Sequence, residues 1–233
     1  MNNETVLLIK TILILSPVLV AVIRLLNVLP AIYSSLRHNE SENIEDVVLQ
    51  KSKKGSNIMI LLGSGGHTGE MVRLLSKVDL TNFSRTWVTS SGDNTSILKA
   101  KAFEEDQLSD STYKHDYISI ERARRVNEPL FLSIRSTLRS FLSTIRQLFL
   151  LSQYPSILLL NGPGTSVPIA YTVFLMKYLG LCNTKIIYIE SLARVNNLSL
   201  SGLLLLPISN RFLVQWEKLA YKYKRAEYYG ILV

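Results

Sequence analysis

From Ser56 onward, short apolar runs alternate with stretches of helical periodicity, and this alternation restricts the chain's fold more than any other feature. Runs at 57–62, 83–89, 113–120, 156–160, 185–189 and 211–214 have the length and apolar density of strands buried on both faces. Between the first two, Met71, Leu74, Leu75 and Val78 recur at helical spacing, with Glu70, Arg73 and Lys77 assigned to the other face. Further helices are expected over about 95–107, 129–151 and 166–179. Strand and helix in strict alternation indicate a parallel sheet covered on both sides, a single doubly wound, Rossmann-like α/β domain over 57–222.

The N-terminal segment follows a different rule. Residues 5–32 are mostly apolar, interrupted by Lys10, Ser16, Pro17, Arg24 and Asn27. A membrane-spanning helix needs about 20 apolar residues, and the two charges lie near the ends of the run, where long side chains can snorkel to headgroups. No small-x-small cleavage site ends the run, so residues 1–33 are expected to be a retained anchor. Basic residues follow it (Arg24, Arg37, Lys51, Lys53, Lys54) with little basic charge before it, which leaves the main domain on the cytosolic side. Residues 34–56 are polar and read as a linker.

A net charge of +8 favours an acidic partner, either phosphates or an anionic membrane surface. Nucleic acid ranks last, because neither zinc-finger spacing nor an RNP-like aromatic run is present. Cys182 is the single cysteine, which removes any intramolecular disulfide, and three scattered histidines make no zinc constellation. Neither a metal nor a separate cofactor is expected.

In a doubly wound sheet, ligands bind beyond the carboxyl ends of the strands. Three unusual stretches fall there. After the first strand come Gly63-Ser64-Gly65-Gly66-His67-Thr68-Gly69, opening onto a helix N-terminus whose free amides and dipole favour an anion. Gly65 and Gly66 would let a phosphate approach those amides without an intervening Cβ. The pattern is not the dinucleotide fingerprint, since Thr68 takes the third glycine's place, nor a Walker loop, since no Lys-Ser/Thr pair follows. A ligand-free glycine-rich turn remains the alternative. His67 suits either a structural cap or a proton-transfer group, and a helix N-terminus would depress its pKa. Asn161-Gly162-Pro163-Gly164 supplies a second glycine loop facing the same crevice. Glu190, leaving the fifth strand, could orient a sugar hydroxyl or pair with Arg194.

The expected helix over 129–151 interleaves Arg135, Arg139 and Arg146 with apolar residues on more than one face. Core packing with a solvated basic stripe is one reading. A helix on the membrane surface is the other.

Four ordered motifs carry a resemblance: Gly63 to Met71, Leu160-Asn161-Gly162-Pro163-Gly164-Thr165, Tyr188-Ile189-Glu190-Ser191-Leu192-Ala193-Arg194, and the terminal Gly230-Ile231-Leu232-Val233. Together they resemble the family of membrane-anchoring subunits of the UDP-N-acetylglucosamine transferase that extends dolichol-linked oligosaccharide, over essentially the whole chain. That family is similar in turn to the N-terminal half of bacterial GT-B enzymes that add GlcNAc to a lipid-linked acceptor. The resemblance implies a GT-B acceptor domain, not active alone, that adds the second GlcNAc to GlcNAc-diphosphodolichol at the endoplasmic reticulum membrane. It implies that Gly63, Ser64, Gly65, Gly66, Thr68, Asn161, Gly162 and Gly164 hold the acceptor diphosphate, with His67 and Glu190 as the catalytic pair. It implies a soluble catalytic subunit that binds UDP-GlcNAc, met by residues 223–233 through Gly230, Ile231, Leu232 and Val233. The competing reading is a non-catalytic membrane adaptor that docks a partner and binds no sugar or lipid diphosphate.

Overall fold

The computed structural model describes residues 3–33, 44–49, 52–122, 130–151, 153–162 and 164–233, with side chains undescribed at 3, 5–9, 33 and 130–134. Among them lie seven strands: β1 (Asn57–Leu62), β2 (Ser84–Ser90), β3 (His115–Ile120), β4 (Ile157–Asn161), β5 (Lys185–Ile189), β6 (Arg211–Val214) and β7 (Glu227–Tyr228). All are parallel, in the order β3-β2-β1-β4-β5-β6-β7. The doubly wound expectation holds.

The helices are α1 (Asn3–Val28), α2 (Pro30–Tyr33), α3 (Ile44–Leu49), α4 (Gly66–Leu75), α5 (Asn94–Gln107), α6 (Leu130–Phe149), α7 (Ser166–Tyr178), α8 (Leu200–Leu205) and α9 (Glu217–Lys222). Alternate residues of each strand feed opposite cores. Ile58, Ile60, Leu62 and Trp87 pack with α3, α4 and α5, whereas Met59, Leu61, Val88 and Tyr188 pack with α6, α7, α8 and α9. Because chain order reverses between β1 and β4, the loops leaving those two strands diverge and open a crevice at their carboxyl ends.

Three local findings differ from the sequence reading. Within the expected linker, α3 buries Val47 and Val48 fully in the first core, an apolar pair strong enough to fold a polar stretch back onto the sheet. The flanking linker residues 34–43 and 50–51 lie outside the described residues, as do Pro163 and most of the basic loop at 121–125. The short elements α8, α9 and β7 are too brief to announce themselves by periodicity. Finally, the segment 223–233 is not separate from the domain. β7 pairs with β6, Leu232 is buried in the first core, and Lys77 Nζ donates to the Leu232 carbonyl at 2.9 Å. Ile231 stays exposed and Val233 is half-buried.

The N-terminal helix contains a 19-residue apolar stretch, Lys10–Val28, none of it buried in the domain. At 1.5 Å per residue it spans about 28 Å, close to a bilayer's hydrocarbon thickness. Its last turns dock on the C-terminal end of α7. Arg24 donates from Nε to the Tyr178 carbonyl and from Nη2 to the Lys177 carbonyl, both at 3.0 Å, and Tyr178 Oη donates to the Ala21 carbonyl at 3.3 Å. An arginine at a helix C-terminus satisfies carbonyls that have no partner within the helix.

Candidate active site

β1 ends in Leu62, and the chain turns through Gly63 and Ser64 to Gly65, which caps α4 at φ +68° with no side-chain hydrogen bond to the helix amides. That dihedral suits glycine. Ser64, Gly65 and Gly66 are exposed, and a Cβ added at Gly65 or Gly66 would meet nothing within 4 Å. Gly164 at the end of the second loop is likewise exposed and open. The first turn of α4 therefore offers amides with no side-chain cap to a shallow bare surface, which suits an anion. Thr68 does not join it. Buried to 1 % exposure, its hydroxyl donates to the Gly63 carbonyl and lies 2.6 Å from Ser96 Oγ, bracing the turn from behind.

His67, the second residue of α4, reaches across the crevice instead of capping the helix. Its Nδ1 lies 2.9 Å from Asn161 Oδ1 at the end of β4. An amide oxygen only accepts, so Nδ1 carries the proton and Nε2 is the nitrogen left for other chemistry. The ring rests directly on Gly162: a Cβ there would fall 2.3 Å from Cε1 and 2.4 Å from Nδ1. Gly162 also takes φ +58°. Its bareness accommodates the imidazole rather than a ligand.

The residue that joins these parts is Glu70. Its Oε2 accepts from Asn161 Nδ2 at 3.1 Å and lies 3.6 Å from His67 Nδ1, an ion-pair distance. Its Oε1 accepts from Ser191 Oγ at 2.9 Å and from the Leu192 amide at 3.2 Å. One carboxylate thus ties the ends of β1, β4 and β5 together. Assigned from periodicity to the face away from the sheet, it points into the crevice. The spacing of three from His67, which puts both on one face of a helix, was the available signal.

The Glu70 carboxylate holds the His67 pKa above the usual imidazole value, against partial burial and with help from Asn161. This is opposite to the depression expected from the helix N-terminus: the hydrogen bond to Glu70 one turn away favours the charged ring. Burial pushes Glu70 up, but its hydrogen bonds with His67, Asn161 and Ser191 together hold it below the ordinary carboxylate value. Both groups are charged between those two values. The pair's contribution to stability is lost as pH rises through the His67 value or falls through the Glu70 value.

Glu190 stands behind this cluster, and its charge also helps to raise the His67 pKa. It is fully buried, its Oε2 accepts from the Ser199 amide (2.9 Å) and hydroxyl (3.1 Å), and its Oε1 accepts from the Ser191 amide (3.1 Å). Gly202 of α8 packs so closely that a Cβ would sit 2.3 Å from Oε2. Its described partners are Ser191, Ser199 and Tyr188, not Arg194, and it organises the start of α8.

A family model described as "Oligosaccharide biosynthesis protein Alg14 like" matches residues 58–232, which include the glycine loops, the histidine and the glutamate. The chain belongs to the Alg14 family. It is 60 % identical over 233 residues to the UDP-N-acetylglucosamine transferase subunit ALG14 of Debaryomyces hansenii, covering 100 % of both chains. With the Homo sapiens protein of the same name it shares 35 % identity over 185 residues, 78 % of this chain and 85 % of that one. The chain is accordingly a subunit of a glycosyltransferase. Among solved structures it is similar to Acinetobacter baumannii MurG (14 % identity, TM-score 0.43, covering 70 % of this chain and 41 % of that one). Another is Arabidopsis thaliana UGT89C1 complexed with UDP-L-rhamnose (14 % identity, TM-score 0.45, covering 78 % and 53 %).

Proposed function

We propose that this Alg14-family chain is the acceptor-binding, membrane-anchored subunit of the transferase, and that it adds the second GlcNAc to GlcNAc-diphosphodolichol together with a soluble subunit that binds UDP-GlcNAc. The observation that carries the reading is the meeting of His67, Glu70 and Asn161 beside the exposed Ser64, Gly65 and Gly66 at the uncapped start of α4. The diphosphate lies on those amides and on the backbone near Gly164, with Gly63 shaping the turn. His67 Nε2 takes the proton from the attacking sugar hydroxyl, and Glu70 stabilises the imidazolium that forms, as a carboxylate does in other His–carboxylate pairs. Asn161 and Gly162 fix the ring's tautomer and position. In this reading Glu190 supports the β5 loop from below, and Thr68 braces the glycine turn.

Helix α1 spans the endoplasmic reticulum membrane once and leaves the domain in the cytosol, in line with the basic residues that follow it. The outer edge of β7 with Ile231 and Val233 receives the soluble subunit, with Gly230 at φ +82° turning the chain and Leu232 pinning the segment to its own core. The test is GlcNAc transfer from UDP-GlcNAc to GlcNAc-diphosphodolichol by the purified chain, by the soluble subunit, and by the two together. Turnover is expected only from the combination. Equal turnover by the soluble subunit alone would leave this chain as an adaptor and overturn the reading.

A further inference from the structure

Helix α6 is apolar on both of its sides: Leu148 packs inward in the second core, yet leucines also stand on the side that faces outward. Ser140 and Thr144 lie on its inner side at 0 % exposure, with Ser140 Oγ donating to the Glu121 carbonyl and Thr144 Oγ1 to the Ser140 carbonyl, each at 2.7 Å. Its outer side carries Arg135, Leu138, Arg139, Leu142 and Arg146 at helical spacing, with both leucines 60 % exposed. A helix that faces water on its outer side keeps that side polar, and two leucines at 60 % exposure depart from this. Arginines interleaved with leucines on one outer stripe instead match a surface that is apolar below and anionic above.

This stripe does not stand alone. On the same layer of the domain, Leu179 at the end of α7 and Leu200 and Leu203 on α8 are also exposed. α1 reaches the domain at the end of α7, where Arg24 clamps it. Ala31, just beyond α1, donates its amide to the Pro207 carbonyl after α8. The unburied apolar surface of α1 is therefore joined to the exposed leucines of α7 and α8.

We propose that the outer face of α6, α7 and α8 docks on the surface of an anionic bilayer, so that the domain lies on the membrane instead of hanging from its anchor. The sheet then has its α6–α8 layer toward lipid and its α3–α5 layer toward water, and the crevice at the ends of β1 and β4 opens along the membrane surface. A lipid-linked diphosphate could reach it without leaving the headgroup region. The inference rests on reading α1 as a membrane span.

The test uses the full chain in nanodiscs containing anionic phosphatidylserine, with Cys182→Ser and one added cysteine carrying an environment-sensitive fluorophore. Labels at Leu142→Cys (α6) and Leu203→Cys (α8) should be quenched by nitroxide-bearing lipids several-fold more than a label at Leu98→Cys. Leu98 is an exposed leucine on α5, in the opposite layer. A label at Leu15→Cys reports the span itself. Replacing phosphatidylserine with phosphatidylcholine, or Arg135, Arg139 and Arg146 with glutamine, should weaken quenching at 142, since each arginine near an anionic surface contributes roughly fivefold in partitioning. Quenching at 15 with labels at 142 and 203 no more quenched than at 98 would overturn the docked face and leave the anchor intact. A label at 15 that also escaped quenching would overturn the span as well.

Discussion

Glu70 and Glu190 both stand at the carboxyl-end rim of the sheet and both contact Ser191, yet they serve different ends. Glu70 lies at the crevice, gathers three loops and charges the histidine. Glu190 is sealed beneath Gly202 and satisfies the backbone and hydroxyl of Ser199. Residue type at a strand end does not separate such roles. What separates them is where the carboxylate points: toward an imidazole at the open crevice, or into the interior toward the amide and hydroxyl of Ser199.

Breaking the Glu70 side of this contrast should have the larger consequences for chemistry. His67→Ala in the assembled transferase should lower turnover by roughly two orders of magnitude or more, with partner binding unchanged. Near-normal turnover would reduce the whole cluster to scaffolding. Gly162→Ala keeps every polar group but drives a methyl into the imidazole at a backbone angle that favours glycine. About a hundredfold loss in kcat is expected from the displaced ring, with the circular dichroism spectrum retained. A normal kcat there would mean that the ring's position is unimportant.

On the other side, Glu190→Gln should act on the fold. Weakening a buried, multiply bonded carboxylate should cost about 1–3 kcal/mol in urea unfolding, while the activity per folded molecule persists. Loss of activity without loss of stability would restore Glu190 to the chemistry. The smallest effect sharpens a parallel contrast in the C-terminal segment, between exposed Ile231 and buried Leu232. Ile231→Asp should weaken capture of the soluble subunit by about tenfold, the equivalent of roughly 1.4 kcal/mol, without shifting Tm. Unchanged affinity would remove Ile231 from the interface.

The parts of this site that were legible in the sequence were the chemically conspicuous ones. β1, β5 and β6 end where their apolar runs end, and the two glycine loops stand out because few other residues tolerate a bare, turning backbone. Glu70 escaped notice because its role depends on the pairing of β1 with β4, Ile58 opposite Ile157, which brings Asn161 within reach of α4. No local pattern encodes that register. Thr68 looked like a ligand group for the opposite reason: its position in the loop is visible in the sequence, but its inward rotamer is not. The terminal Ile231-Leu232-Val233 likewise reads as a segment that meets a partner, and only β7 and Lys77 fix which of the three faces the domain's own core.

The pH dependence of kcat/KM for the assembled transferase, with and without Glu70→Gln, tests the central claim that Glu70 and His67 act as one unit. A base must be unprotonated, so activity should fall as pH drops through the raised His67 value. Removing the carboxylate lets that value descend. The acid limb should therefore move to lower pH while the plateau falls by about tenfold or more, as expected when an imidazolium loses its stabilising partner. Acid limbs that superimpose in the two proteins would contradict the account.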